Sequence, residues 1–216
     1  MGTSEDKPSS GSYHHGNLRE ALLDAVGAIL EEKGIGSVSL REAARRAGVS
    51  HGAPAHHFGD KLGMLTAYTT RGFELFAEQL RAAADGEERP EDKINAVGIA
   101  YLRFAVEHRS YFELMFRSEM HNAKNEEFLD TSTGAFSVVT SIAEQLLAIG
   151  DDDDSGPRDP TSALPLAFRA WSQVHGLATL WLDGAITHFW DGDDIYELAQ
   201  LMFEAELPSG SDGLSI

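Results

Sequence analysis

The chain of 216 residues contains no cysteine. That excludes disulfide scaffolds, thiolate zinc sites, iron–sulfur clusters and cysteine nucleophiles. It lacks an unbroken apolar run of about 18 residues, so no membrane-spanning helix is expected. The first 20 residues include Glu5 and Asp6 and no apolar core, unlike a signal peptide, and a cytoplasmic location is the expectation. Strand-like alternation is missing along the whole chain, which leaves an all-α fold. No nucleophile elbow, HExxH, P-loop or glycine-rich nucleotide fingerprint occurs, so no enzymatic activity is expected. Positive charge is scarce, with 17 Lys and Arg against 35 Asp and Glu, a net charge of −18. Spread evenly, such a charge would argue against a nucleic-acid partner. The 42% apolar share, in contrast, is too high for a disordered acidic chain.

The charge is not spread evenly. Residues 12–71 hold seven basic and six acidic side chains and five of the nine histidines, whereas residues 72–216 hold nine basic and 27 acidic ones. A near-neutral, His-rich front therefore precedes an acidic body. Residues 1–12 read as a disordered tail, 13–60 as one helical domain, 61–207 as a second, and 208–216 as another tail. Leu18, Ala21, Leu22, Ala25, Val26, Ile29 and Leu30 mark an amphipathic helix, with Asn17 as its cap and Gly34 as its stop. Ser39 opens a helix that Gly48 stops, Ser50 heads a short one to Phe58, and Asp60 opens a long one towards Ala84. Pro90 begins a helix to about His108, short segments follow to Met120, and another helix spans 125–149. Residues 150–160 form a loop. Its Asp151–Gly156 run imitates half a calcium loop but has Ser162 where the bidentate Glu is needed. A nearly all-apolar helix at 162–182 and a last amphipathic one at 194–207 complete the pattern.

The stretch 39–58, SLREAARRAGVSHGAPAHHF, carries the chemistry. Gly48 supplies the positive φ of a sharp reversal, Val49 plugs the corner, and Ser50 is placed to cap the next helix through its hydroxyl. Ala43, Ala44 and Ala47 let two helices cross closely. This is the logic of a helix-turn-helix, whose second helix enters the DNA major groove, with Arg41, Arg45 and Lys61 flanking it to neutralise phosphates. The segment 13–65 resembles the DNA-binding domain of the TetR family of transcriptional regulators, through Tyr13–Leu18, Val49-Ser50, His57-Phe58, Lys61 and Met64-Leu65.

The resemblance implies a homodimer that binds a palindromic, double-stranded DNA operator as a repressor and releases it when a small-molecule effector occupies the C-terminal region. By position it implies DNA contacts from Ser39, Ser50, His51, Gly52, His56, His57 and Lys61. Ala55 stands where the family usually has a phosphate-contacting Tyr. Pro54 falls in or just past the first turn of the recognition helix, which predicts a short or kinked helix. Ala55 and the net charge keep a second reading open, a helical interaction module that has lost specific DNA binding.

Trp171-Ser-Gln-Val-His175-Gly176 is similar to the Trp-x-x-x-His-Gly signature of one TetR C-terminal subfamily. His175 reads either as a core histidine beside Gly176, where helices close in, or as one polar group in an apolar effector cavity. Tyr101, Phe104, Phe112, Met115 and Phe116, with Trp171, are the candidates to line that cavity. His51, His56 and His57 do not have the i, i+4 spacing of a helical zinc pair, and neither a metal nor a cofactor is expected. The apolar helix at 162–182 needs cover on every side, which a partner subunit could supply together with 194–207.

Overall fold

A computed structural model describes residues 14–149 and 160–205. The tails, the 150–160 loop up to residue 159 and its calcium-like run lie outside the described residues. Among the described residues there are nine α-helices and no strands: α1 His14–Lys33, α2 Leu40–Ala47, α3 Ala53–Phe58, α4 Lys61–Asp85, α5 Pro90–Glu107, α6 Arg109–Met115, α7 Glu126–Ile149, α8 Leu164–Leu182 and α9 Ile195–Glu204. Short 3-10 turns at Ile35–Ser37, Ser118–Met120, Pro160–Ala163 and Ala185–His188 join some of them. The chain packs as two compact units. The first holds the residues up to Gly72 with Glu113–Leu129, the second Phe73–Phe112 with the residues from Asp130 onward. Helices α4, α6 and α7 each contribute to both.

In the first unit α1 buries Leu22, Leu23, Ala25, Val26 and Ile29 and packs on α2 and α3. It already includes Asn17, so Asn17 does not cap it. Helix α2 starts as expected, with the Ser39 hydroxyl accepting from the Glu42 N–H at 3.2 Å. It ends at Gly48, whose φ of 68° lets Gly48 N–H reach Arg45 O and Val49 N–H reach Ala44 O, the paired bonds of a Schellman turn. Buried Ala43 and Ala44 present no bulk at the crossing with α1.

The start of α3 corrects one expectation. The Ser50 hydroxyl does not cap it. Gly52 already has helical φ and ψ, and the carbonyls of Ser50 and Gly52 accept from Ala53 and His56 instead. Pro54 sits in the first turn of this six-residue helix, where its missing N–H has no helical partner to lose. Asp60 then caps α4, its Oδ1 accepting from Gly63 N–H at 2.8 Å. At Gly63 a Cβ would stand 2.1 Å from the Phe58 carbonyl oxygen, so only glycine allows α4 to begin this close to the end of α3.

The second unit is built on α5, which buries Val97, Tyr101, Leu102, Phe104 and Ala105 and packs on α8 and α9. The close approach expected at Gly176 occurs elsewhere. Gly176 has nothing within 4 Å of its Cβ position, whereas a Cβ on Gly98 would meet Phe203 Cζ at 2.8 Å. Only Ala167, Val174, Leu177 and Ala178 of α8 are buried, and Phe168 and Leu180 are left about half exposed (48% and 51%). Helix α7 is long and apolar enough to cross a membrane by length and hydropathy. It reaches that hydropathy without an unbroken apolar run, because Ser, Thr and Gly interrupt it. Its buried Phe128, Ala135, Val139, Ile142 and Ala143 repeat at helical spacing, as on a helix that turns one side to a core.

Candidate nucleic-acid interface

The turn from α2 to α3 leaves His51, Gly52, Ala55 and His56 exposed, while Phe58 is partly covered and Pro54 is buried. His57 is half-buried, and the Arg19 guanidinium lies 5.8 Å from the Phe58 ring centre. Ser39, Arg41, Arg45, Ser50 and Lys61 are exposed as well, so the residues assigned to DNA contact in the sequence lie at the surface of the first unit, His57 less so. Exposed polar groups on a short helix that follows a fixed turn are what base edges and phosphates require.

The charges there are more constrained than the sequence indicated. Arg45 grips Glu42 with both Nε and Nη2, at 2.8 and 2.7 Å, and Lys33 Nζ reaches the same carboxylate at 3.1 Å. Arg46 makes a two-pronged contact with Glu32, Nη1 to Oε2 at 2.6 Å and Nη2 to Oε1. Arg71 meets Glu20 and Asp24 at 3.0 and 2.8 Å. Hydrogen bonds from Arg45 and then Lys33 hold the Glu42 carboxyl down to about 2, and Arg46 lowers Glu32 in the same way. Arg41 and Lys61 make no ion pair among the described residues. Sequence inspection did not single out Glu42 or Glu32. Glu42 stands three residues before Arg45, a spacing that signals a helical pair, but the contacts with Lys33 and Arg46 depend on α1 crossing α2.

A second polar cluster lies in the second unit. Trp171 Nε1–H donates to Tyr101 Oη at 3.2 Å, and Tyr101 Oη stands 2.7 Å from His175 Nδ1. An indole nitrogen can only donate, so the tyrosine oxygen accepts from Trp171 and shares a hydrogen bond with His175 Nδ1 whose direction follows the imidazole tautomer. Burial lowers the pKa of His175 and raises that of Tyr101, so both are neutral. Around them stand Phe112, 5.5 Å from the His175 ring, Phe76, 5.1 Å from Tyr101, and Phe136 and Phe168, each within 6 Å of Trp171.

Of the effector candidates, Tyr101, Phe112, Trp171 and His175 therefore meet. Phe104 joins through Phe76 at 4.9 Å, and Met115 and Phe116 fall in the other unit. Phe76 carries no sequence signal of its own, being one of three aromatics spaced along the amphipathic α4 with Tyr68 and Phe73. A separate cleft of about 320 Å³ in the second unit is lined by Ile94, Leu166, Arg169, Val174, Met202 and Phe203, none of them among the candidates.

Comparison with known proteins bears on both sites. Residues 22–68 match the family model described as bacterial regulatory proteins, tetR family, and residues 94–203 match the tetracyclin repressor-like C-terminal domain. The chain is 34% identical over 80 residues to the HTH-type transcriptional regulator BetI of Stenotrophomonas maltophilia (strain R551-3), covering 37% of this chain and 41% of that one. It thus spans less than half the length of the curated relatives it matches. A solved protein of unknown function from Rhodococcus sp. RHA1 superposes with a TM-score of 0.73 at 31% identity, over 90% of this chain and 95% of that one. The transcriptional regulator FadR of Bacillus subtilis, solved in complex with stearoyl-CoA, shares the fold at a TM-score of 0.66 and 14% identity, over 86% and 95%.

Proposed function

Because the chain belongs to the TetR family of bacterial regulatory proteins, we propose that it is a homodimeric repressor released from a palindromic operator by a small molecule. The family's members are DNA-binding regulators of transcription rather than enzymes, and this chain is one of them. The observation that carries the reading is the α2–α3 motif. Its Schellman turn at Gly48 leads through exposed His51 and Gly52 into a short helix that exposes Ala55 and His56 to a groove, with Ser39, Arg41, Arg45, Ser50, His57 and Lys61 around it.

Two copies present two such helices, which is what a palindrome needs. Phe168 and Leu180 of α8 and Leu201 of α9 are half-exposed apolar side chains of the kind a partner covers. In the second unit, neutral Tyr101 and His175 within an aromatic shell suit a mostly apolar effector with one polar group. Its occupancy would shift the population of DNA-competent dimers by its differential affinity for the two states.

Selection from random-sequence duplexes tests the DNA half. An enriched inverted repeat is expected, whereas recovery without any sequence preference would leave the interaction-module reading in its place. The effector half is read by thermal shift across a library of apolar acids, amines and alcohols. Stabilisation of the protein that Tyr101→Phe and His175→Phe abolish supports the site. Stabilisation that both variants retain places the effector elsewhere.

A further inference from the structure

The arginine that sequence places beside the recognition helix is already engaged. Glu42 Oε1 accepts from Arg45 Nη2 at 2.7 Å and from Lys33 Nζ at 3.1 Å, and Oε2 accepts from Arg45 Nε at 2.8 Å. Two oxygens thus hold a guanidinium by its edge and an ammonium beside it, the arrangement in which a DNA phosphate is bound. Access is not what separates Arg45 from a phosphate. Its side chain is 62% exposed, and it sits one turn after exposed Arg41 on the same face of α2. What separates them is a carboxylate in the phosphate's place.

We propose that Glu42 is a specificity-determining residue, an internal substitute for phosphate that keeps Arg45 and Lys33 out of contact with DNA of arbitrary sequence. DNA that the motif does not read is then offered mainly Arg41 and Lys61, which have no acidic partner among the described residues. Non-specific affinity rests almost wholly on such cations, so withholding two of them lowers the background against which an operator is found. Glu42 is well placed for this task. Its own N–H is tied to the Ser39 hydroxyl at the start of α2, and its side chain is 22% exposed against 62% for Arg45, so the carboxylate is the better anchored of the two partners. In many helices a Glu at this third position turns back to the cap residue's N–H. Here Arg45 and Lys33 draw it the other way.

The inference rests on the chain's DNA binding and is tested apart from operator recognition, with the full-length protein and a random-sequence duplex. Binding is followed by fluorescence anisotropy through a salt series. Glu42→Gln, which keeps the backbone N–H and the side-chain size, should raise low-salt affinity about three- to fivefold. It should also steepen the dependence of log affinity on log salt by about 0.9 for each cation transferred to a phosphate. Glu31→Gln removes the same charge from an α1 residue with no ion pair among the described residues, and should leave the slope unchanged. Arg45→Gln should cancel most of the gain in the Glu42→Gln background.

Equal slopes for the Glu31 and Glu42 variants would reduce the effect to net charge and overturn the proposal. So would an Arg45→Gln loss of the same size in both backgrounds, or a duplex bound by none of these proteins at any salt. Should Glu42→Gln lose its helical circular dichroism, the native background decides: Lys33→Gln that leaves the slope intact supports the assignment, and a loss of about 0.9 refutes it.

Discussion

Ser39 shows how much a single hydroxyl can do in a short helix. Helix α2 has eight residues and few internal bonds, so the Ser39–Glu42 contact satisfies a large share of its free N–H groups. Ser39→Ala should lower the stability of the first unit by about 1 kcal/mol, read as a shift of the urea midpoint without a change of slope. Histidines set the response to acid. Burial lowers the pKa of both His121 and His175. His121 stacks on Phe128 at 4.2 Å and has a buried Nδ1 with no hydrogen-bond partner among the described residues. A histidine that is harder to protonate when folded takes up its proton preferentially in the unfolded state. Their contribution is therefore complete above the ordinary imidazole value of about 6.5 and declines as pH falls below it. Melting temperature should drop between neutral and mildly acidic solution. A pH-independent melting curve over that interval would contradict the assignment, and His121→Asn combined with His175→Asn should flatten the decline.

At the level of elements, the junction between α3 and α4 is the least tolerant feature of the first unit. The 2.1 Å separation between the Gly63 Cβ position and the Phe58 carbonyl cannot be relieved by rotating a side chain, since the obstacle is backbone. Gly63→Ala should displace the end of α3, weaken DNA binding and lower the melting temperature. Gly176→Ala, on α8 with open space around it, should leave melting unchanged or raise it slightly. A Gly63→Ala protein that melts like the parent would refute the constraint.

The elements themselves were legible wherever the signal was local. Ser39, Gly48, Asp60 and Pro90 each act within a few residues, and helix boundaries followed from them to within two or three positions. Asn17 and Ser50 have the right chemistry for caps but not the backbone. Helix α1 begins before Asn17, and the helical conformation of Gly52 hands the capping of α3 to carbonyls. What depended on chain crossing was not legible. Glu32 with Arg46 lie 14 residues apart, Tyr101 with His175 lie 74 apart, and no spacing rule links them. Composition showed a front that was close to neutral, but not that most of its cations were already spoken for.

For the whole molecule, the decisive quantity is apolar surface that one chain leaves uncovered. Phe168, Leu180 and Leu201 are each about half exposed, on helices of which only Ala167, Val174, Leu177, Ala178, Ile195 and Ala199 are buried. Placing charge there should separate the subunits without unfolding them. Leu180→Glu with Phe168→Glu is expected to sediment as a monomer at micromolar concentration, while the parent sediments as a dimer and both keep the same helical content. A parent that sediments as a monomer would remove the dimer from the functional reading and, with it, the need for a palindromic site.

The hydrogen-bonded trio in the second unit also makes the protein its own optical instrument. The Trp171 indole lies 6.0 Å from the His175 ring, donates to Tyr101 and touches Phe136 and Phe168. Its emission colour and intensity therefore report the polarity and protonation of that cluster directly. With Trp181 and Trp190 replaced by Phe, a molecule entering the site would be seen as a change in the emission of one residue. Candidate effectors could then be ranked by titration in a cuvette, before any operator sequence is known.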